Sequence, residues 1–226
     1  NIMHSLCDLH THSYYSDGSF SPTELIDEAE RMGLAAIALC DHNTLTGLPE
    51  FVQAGKQSSV ETICGIEFST DYGETELHIL GLFIRPEHRD AINERLAEAL
   101  QRKDASNRAL VLALNRAGIP LDYGRLQETT AGGFINRAVI GAELTRLGVT
   151  SSVKDAFSRY LHPRQGFYVP PRRLDAYEII SFLRDLGVVS VLAHPFLNLD
   201  EAGLLAFLPE TVAAGLDGME VLYPKY

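Results

Sequence analysis

Residues 34–40, Leu-Ala-Ala-Ile-Ala-Leu-Cys, are apolar at every position. A strand of that kind has no face to give to water, so it must be covered on both sides, as strands of parallel sheets are. The segment before it supplies a cover. Ser21-Pro22-Thr23-Glu24 is a capping box with proline at the first helical position. Leu25, Ile26, Ala29 and Met32 then recur at helical spacing, and Gly33 ends the helix. Residues 6–10 form a short apolar strand before that helix, so strand, helix and strand make one βαβ unit.

The same rhythm continues. A helix is expected over 48–55, a third strand over 61–66 and a fourth over 76–84. Strands separated by helices or turns predict an α/β fold with a parallel or mixed sheet that can close into a barrel. From Pro86 the texture changes to long helical periodicity up to Gly118-Ile119-Pro120, followed by helices over 134–147 and 153–161 and a Pro- and Arg-rich loop over 163–173. Residues 86–174 are therefore read as an inserted helical subdomain, and 1–85 with 175–226 as the discontinuous barrel. The rhythm resumes with a helix over 176–186, a strand over 188–193, a helix over 201–214 and a sixth strand over 216–222.

Composition excludes several classes. With 226 residues, 46% hydrophobic and 22% charged, the chain can bury a full core. No apolar run reaches the roughly 18 residues needed to span a bilayer, and Asn1-Ile2-Met3-His4 does not begin a signal peptide, so no membrane contact and a cytoplasmic location are expected. Cys7, Cys40 and Cys64 are odd in number and lack a Cys-x-x-Cys pair, so they read as small core residues. The net charge of −11 argues against a phosphate-gripping surface for duplex DNA. Any phosphate would be handled at one local site where cations offset carboxylates, and no obligate protein partner is evident.

The chemistry-bearing residues share one kind of position. His10 and His12 are two apart on a strand and therefore project from one face, with Asp17 in the turn beyond. His42, Glu67 and His194 fall at or just past the ends of expected strands, and His78 lies within one. In barrels and open α/β sheets the loops at that end converge on one mouth. Taken singly, His78 reads equally well as a core histidine, Glu67 as a surface carboxylate and His194 as a helix cap. Together they are a candidate metal cluster. Imidazole and carboxylate donors suit Zn, Mn and Fe, with Mg a further option. The donors are too many for one tetrahedral ion, which implies two to three divalent ions with Glu67 as the bridge. Ions so clustered can hold a hydroxide as nucleophile, neutralise phosphate oxygens and stabilise the leaving oxygen.

His10-Thr11-His12 with Asp17, Asp41-His42, Gly65-Ile66-Glu67, His78-Ile79-Leu80-Gly81 and Ala193-His194-Pro195, in this order, closely resemble the PHP (polymerase and histidinol phosphatase) superfamily, in particular its stand-alone nucleotide phosphoesterases. The resemblance implies a distorted (β/α)7 barrel. It also implies that His10, His12 and Glu67 hold one ion, Glu67, His78 and His194 a second, and Asp17 with His42 a third, with His10, His12, Glu67 and His194 catalytic. Asp8 and Asp41 would orient histidines. The implied activity is hydrolysis of a small phosphorylated substrate, such as a 3',5'-bisphosphate nucleotide, a 5'-nucleotide or a short oligonucleotide, by metal-activated hydroxide. A non-nucleotide ester such as histidinol phosphate, and a regulatory metal-binding module without catalysis, stay open as alternatives.

Two departures from the family pattern matter. The family closes its site with an Asp-x-His pair after a last strand, and no such pair follows His194. The last strand or strands are therefore expected to be absent from this sequence, which reads as the front part of a longer chain, with the third ion site the weakest. Relatives also carry Arg followed two residues later by His in the insertion, where this chain has Arg137 with Val139. Arg137 is carried over as a phosphate fork, with Arg159 and Arg164 as weaker candidates, and Tyr168 reads equally well as a ring that could stack on a base at the rim or as a core or loop anchor.

Overall fold

The computed structural model describes residues 6–130 and 135–223, so the N-terminal tetrapeptide and Phe134 named above lie outside the described residues. The chain divides into two compact units, one of residues 1–96 with 173–226 and one of residues 97–172.

The first unit is an α/β sheet with helices, as expected. Strand β1 (Cys7–Thr11) pairs in parallel with β2 (Ala36–Leu39), and β2 pairs in parallel with the first part of β3 (Glu61–Tyr72). Helix α1 (Pro22–Met32) connects β1 to β2. Its Ser21 hydroxyl accepts the Glu24 N–H, the Glu24 side chain returns to the Ser21 N–H, and Gly33 closes it at φ 71°. Helix α2 (Leu48–Gly55) connects β2 to β3. The two faces of β2 explain its unbroken hydrophobicity. Ala36, Ala38 and Cys40 join Ile63, Leu80, Leu82 and Ala193 in one buried cluster, while Ile37 and Leu39 are buried on the other side.

Strand β3 departs from expectation. It runs six residues past Ile66 and turns back through Gly73, at φ 60°, into the antiparallel β4 (Thr75–Leu82). Glu67 is therefore in the middle of a strand and not at its end. Beside it β2 has already ended at Leu39 and contacts β3 here through an isolated bridge between His42 and Glu67. Gly65 permits this crowding, since a Cβ there would stand 2.6 Å from Cys40 Sγ.

Beyond β4 the sheet continues antiparallel to β6 (Val189–Leu192) and then parallel to β7 (Gly218–Met219), while the short β5 (Leu174–Asp175) pairs with the far end of β3. Helix α7 (Ala176–Leu186) packs on β3, β4 and β6, and α8 (Glu201–Ala214) packs on α7. The expected sixth strand shrinks to two residues. Strands β1 and β7 end the pairing path, yet His10 Nδ1 lies 2.8 Å from Glu220 Oε1 just past β7. The sheet thus curls until its two ends approach, the distorted barrel expected above.

In the second unit, α3 (Arg89–Arg116) enters from the first unit and is followed by α4 (Tyr123–Thr129), α5 (Arg137–Arg146), α6 (Val153–Ala156) and a π-helical turn, Phe157–Leu161. Leu110, Leu114, Ile140, Leu144, Leu161 and Tyr168 are among the side chains of its own core. Helix α4 was not anticipated, because its only start signal is Asp122, whose carboxylate caps the Arg125 N–H. No helix among the described residues is long and apolar enough to cross a membrane.

Candidate metal centre

Five imidazoles surround one carboxylate. Glu67 is fully buried on β3. Its Oε2 lies 3.1 Å from His10 Nε2, 3.1 Å from His12 Nε2 and 3.3 Å from His42 Nδ1. Its Oε1 lies 2.8 Å from His78 Nδ1 and 2.9 Å from His194 Nε2. Each histidine comes from a different place on the curl. His10 is on β1 and His12 directly follows it, His42 follows β2, His78 is on β4 diagonally across from Glu67, and His194 follows β6. Asp17 stands further out, 3.4 Å from His12 and 3.7 Å from His42, and is mostly exposed.

The surrounding backbone is fixed by polar groups. Asp41, 2% exposed, accepts the Ser13 N–H and the Ser13 and Ser16 hydroxyls, which ties down the loop carrying His12 and Asp17. Asp8 accepts the His10 backbone N–H. Both aspartates, expected to orient histidines, make these contacts to backbone and loop groups beside them. The ring partners are two glutamates the sequence reading passed over. Glu220 Oε1 faces His10 Nδ1, and Glu76 Oε1 lies 3.2 Å from His78 Nε2 while its other oxygen takes Arg173 Nη2 at 2.6 Å. A charged residue inside the apolar stretch 216–222 was the available signal for Glu220, of the kind that singled out His78. Two residues at the centre hold left-handed backbone, Asn43 at φ 51° and His194 at φ 25°, a strain that is concentrated at functional sites.

Electrostatics follow from this packing. Burial alone would lower His10, but hydrogen bonds to Glu220 and Glu67 outweigh it and raise it to about 9. Burial likewise opposes, and Glu67 and Glu76 overcome, the rise of His78 to about 9. His42 moves down, first through burial and then through the neighbouring His12 and His78. Burial would raise Glu67, yet the His10, His12, His194 and His78 contacts hold it far below the carboxylate range.

The donor set suits divalent ions. His10 Nε2, His12 Nε2 and Glu67 Oε2 form a nearly equilateral triangle with edges of 3.0, 3.1 and 3.1 Å. Donors that share one ion at about 2.1 Å are separated by about 3.0–3.4 Å, so this triangle has the size of one face of a coordination shell. With the Nδ1 proton of His10 directed at Glu220, Nε2 presents a lone pair to the Glu67 carboxylate. Two acceptors at 3.1 Å need a cation between them or a second proton on the ring. His42 Nδ1 is buried without a hydrogen-bond partner and points into the same cluster. By proximity alone, His10, Glu67 and His194 form one group within 4.8 Å and His12, His42 and Glu67 another.

The expected substrate contacts lie in the second unit. Arg137, at the start of α5, donates from Nη1 to the Leu161 carbonyl at 3.1 Å and stacks 4.3 Å above the Tyr168 ring, which is 8% exposed in that unit's core. Arg164 follows the cap formed by His162, whose Nδ1 accepts the Arg164 N–H at 3.2 Å.

The PHP domain family matches residues 8–124 of this chain. A 5'-3' exoribonuclease of Haemophilus influenzae is 33% identical over 219 residues, covering 95% of this chain and 78% of that protein. A 3',5'-nucleoside bisphosphate phosphatase of Chromobacterium violaceum is 29% identical, over 95% of this chain and 75% of that protein. The chain spans 64% of the length of two further exoribonuclease relatives. A Bifidobacterium adolescentis structure assigned as a metal-dependent phosphoesterase superposes with a TM-score of 0.70 at 25% identity, over 98% of this chain and 80% of that one.

Proposed function

Because this chain belongs to the PHP domain family and is a hydrolase acting on phosphoric ester bonds, we propose that it removes phosphate from small nucleotides or trims short oligonucleotides. The observation that carries this reading is the bridging of Glu67, one oxygen among His10, His12 and His42 and the other between His78 and His194. A carboxylate placed so is suited to two ions side by side, and Asp17 with His42 adds donors for a third, giving two to three divalent ions of Mn, Fe or Zn. Bound there, such ions would supply Lewis acidity toward phosphate oxygens and a nucleophile ionised at neutral pH.

The chain's own side chains do the rest. Glu67 fixes the spacing of the two halves of the cluster, and His10, His12, His78 and His194 hold it rigid from three strands or their ends. Arg137 is proposed as a phosphate fork, since a guanidinium carries five N–H donors and Nη1 spends one on Leu161. Arg164 and Tyr168 are proposed as weaker contacts to phosphate and base. The relatives named for RNA ends and for bisphosphate nucleotides favour a nucleotide over another ester.

The test compares turnover of a 3',5'-bisphosphate nucleotide, a 5'-phosphorylated short RNA and histidinol phosphate by the metal-loaded chain and its His12→Ala variant. Nucleotide or RNA turnover that drops about 10³-fold in the variant is expected, which corresponds to several kcal/mol of lost charge stabilisation. Preference for histidinol phosphate would move the assignment to a non-nucleotide ester. Bound metal without turnover of any of the three would identify a regulatory module, and turnover unchanged in His12→Ala would sink the metal-centred reading.

A further inference from the structure

Glu220 is partly buried where the two ends of the curled sheet approach and makes two contacts of different kinds. Its Oε1 lies 2.8 Å from His10 Nδ1, and its Oε2 accepts the backbone N–H of His194 at 2.6 Å. Its own backbone N–H continues the sheet by donating to the Leu192 carbonyl, which fixes where the side chain starts. We propose that Glu220 is a positioning residue that sets the proton of His10 on Nδ1, so that Nε2 is free to ligate, and that also anchors the left-handed backbone of His194. The inference rests on the metal-centred reading above.

The argument depends on which contacts can change. The His194 N–H is a backbone donor and can only donate, so it always requires an acceptor. The φ of 25° at His194 is a conformation that a side-chain-bearing residue adopts at a cost, and from it the ring stands 2.9 Å from Glu67. A carboxylate offers acceptors on both oxygens. One satisfies His194 and the other accepts from His10 Nδ1, so that when an ion displaces the second ring proton the Nε2 lone pair is the one left on the side of Glu67 Oε2 and His12 Nε2. Carboxylates that take the outer N–H of a metal-ligating histidine act in this manner, and their loss costs about 10–100-fold in metal affinity.

Glutamine separates shape from hydrogen-bond polarity. In Glu220→Gln the single carbonyl must serve the His194 N–H, because the amide NH2 cannot. The NH2 then faces His10 Nδ1 and donates to it, which transfers the ring proton to Nε2 and blocks the ligating atom. Glu220→Asp keeps two acceptors on a shorter arm. A merely structural role would treat glutamine, the better match in size, as the milder change.

The test titrates Zn into the chelator-treated chain, its Glu220→Gln and Glu220→Asp variants, against a competing chromophoric chelator. In parallel, proton–nitrogen correlation spectra of the Zn-loaded forms identify which nitrogen of His10 carries the proton. The expected order of affinity is wild type, then Asp, then Gln, with Gln weaker than wild type by about 10–100-fold. The slowly exchanging Nδ1–H signal of His10 is expected in wild type and Asp and absent in Gln. Equal affinity in Gln and wild type, or Asp as weak as Gln with the His10 proton unmoved, would overturn the proposal while leaving the metal site standing. No Zn uptake by the wild type would overturn both.

Discussion

At the scale of single residues the site is governed by how one buried carboxylate is neutralised. Glu67 cannot stay ionised and dry without cations, and in the metal-free chain those are the protonated His10 and His78. Their folded values of about 9 lie above the 6.5 of the free side chain. Their stabilising contribution is therefore fully present below pH 6.5 and is lost as pH rises through about 9. Thermal melts of the chelator-treated chain should show Tm falling over that interval, whereas the metal-loaded chain should hold its Tm. Metal affinity should climb over the same interval, because each ion must displace ring protons. A metal-free Tm that is flat from pH 6.5 to 9 would contradict this assignment of charge. Glu67→Gln removes the carboxylate proposed as the bridge. Fewer bound ions and a loss in turnover of about 10³-fold or more are expected, read by elemental analysis and steady-state kinetics.

At the scale of elements, the loop after β1 carries more of the site than its length suggests. It packs against itself so closely that a Cβ on Gly18 would stand 2.1 Å from the His12 carbonyl oxygen and 2.9 Å from the Ser13 nitrogen. Both are backbone atoms, so Gly18→Ala must open the loop and move Asp17, at about 1–3 kcal/mol. A lower Tm together with a weaker outermost ion is expected, checked by calorimetry and metal titration; unchanged metal binding would show that Asp17 takes no part. How far such elements can be read in advance depends on whether the determinant is local. The α1 capping box, Gly33 and the two-faced hydrophobicity of β2 are all within a few residues of what they cause, and each was legible. The β3–β4 hairpin was not, because β3 changes partners midway, from β2 to β4, and no local periodicity marks the change. The histidines of the cluster were legible as motifs at strand ends and, for His78, within a strand. Glu220 was not assigned, since its meaning comes from His10, 210 residues away, and only the curl of the sheet brings the two together.

At the scale of the whole molecule, the two units carry separate burdens. All the residues around Glu67 belong to residues 1–96 and 173–226, whereas Leu144, fully buried, belongs to the core of 97–172. Leu144→Ala should cost about 2–5 kcal/mol, visible in denaturant melts, and leave the metal content unchanged. Net charge makes a sharper demand. At −11 the chain repels the multiply charged anion it is proposed to hydrolyse, and two or three divalent ions offset only about four to six of those charges. The attraction that remains is short-ranged, at the ions, while the repulsion is long-ranged. Raising ionic strength from about 0.01 to 0.15 M shortens the screening length from about 30 to 8 Å, which removes the distant repulsion first. With a salt whose anion coordinates weakly, kcat/KM for a bisphosphate nucleotide should therefore rise a few-fold over this range. A polybasic nucleic-acid surface behaves oppositely, since each phosphate contact releases counterions and binding falls steeply with salt. A steep fall here would mean that the substrate is gripped by arginines acting together, and that the metal cluster is not the main source of its affinity.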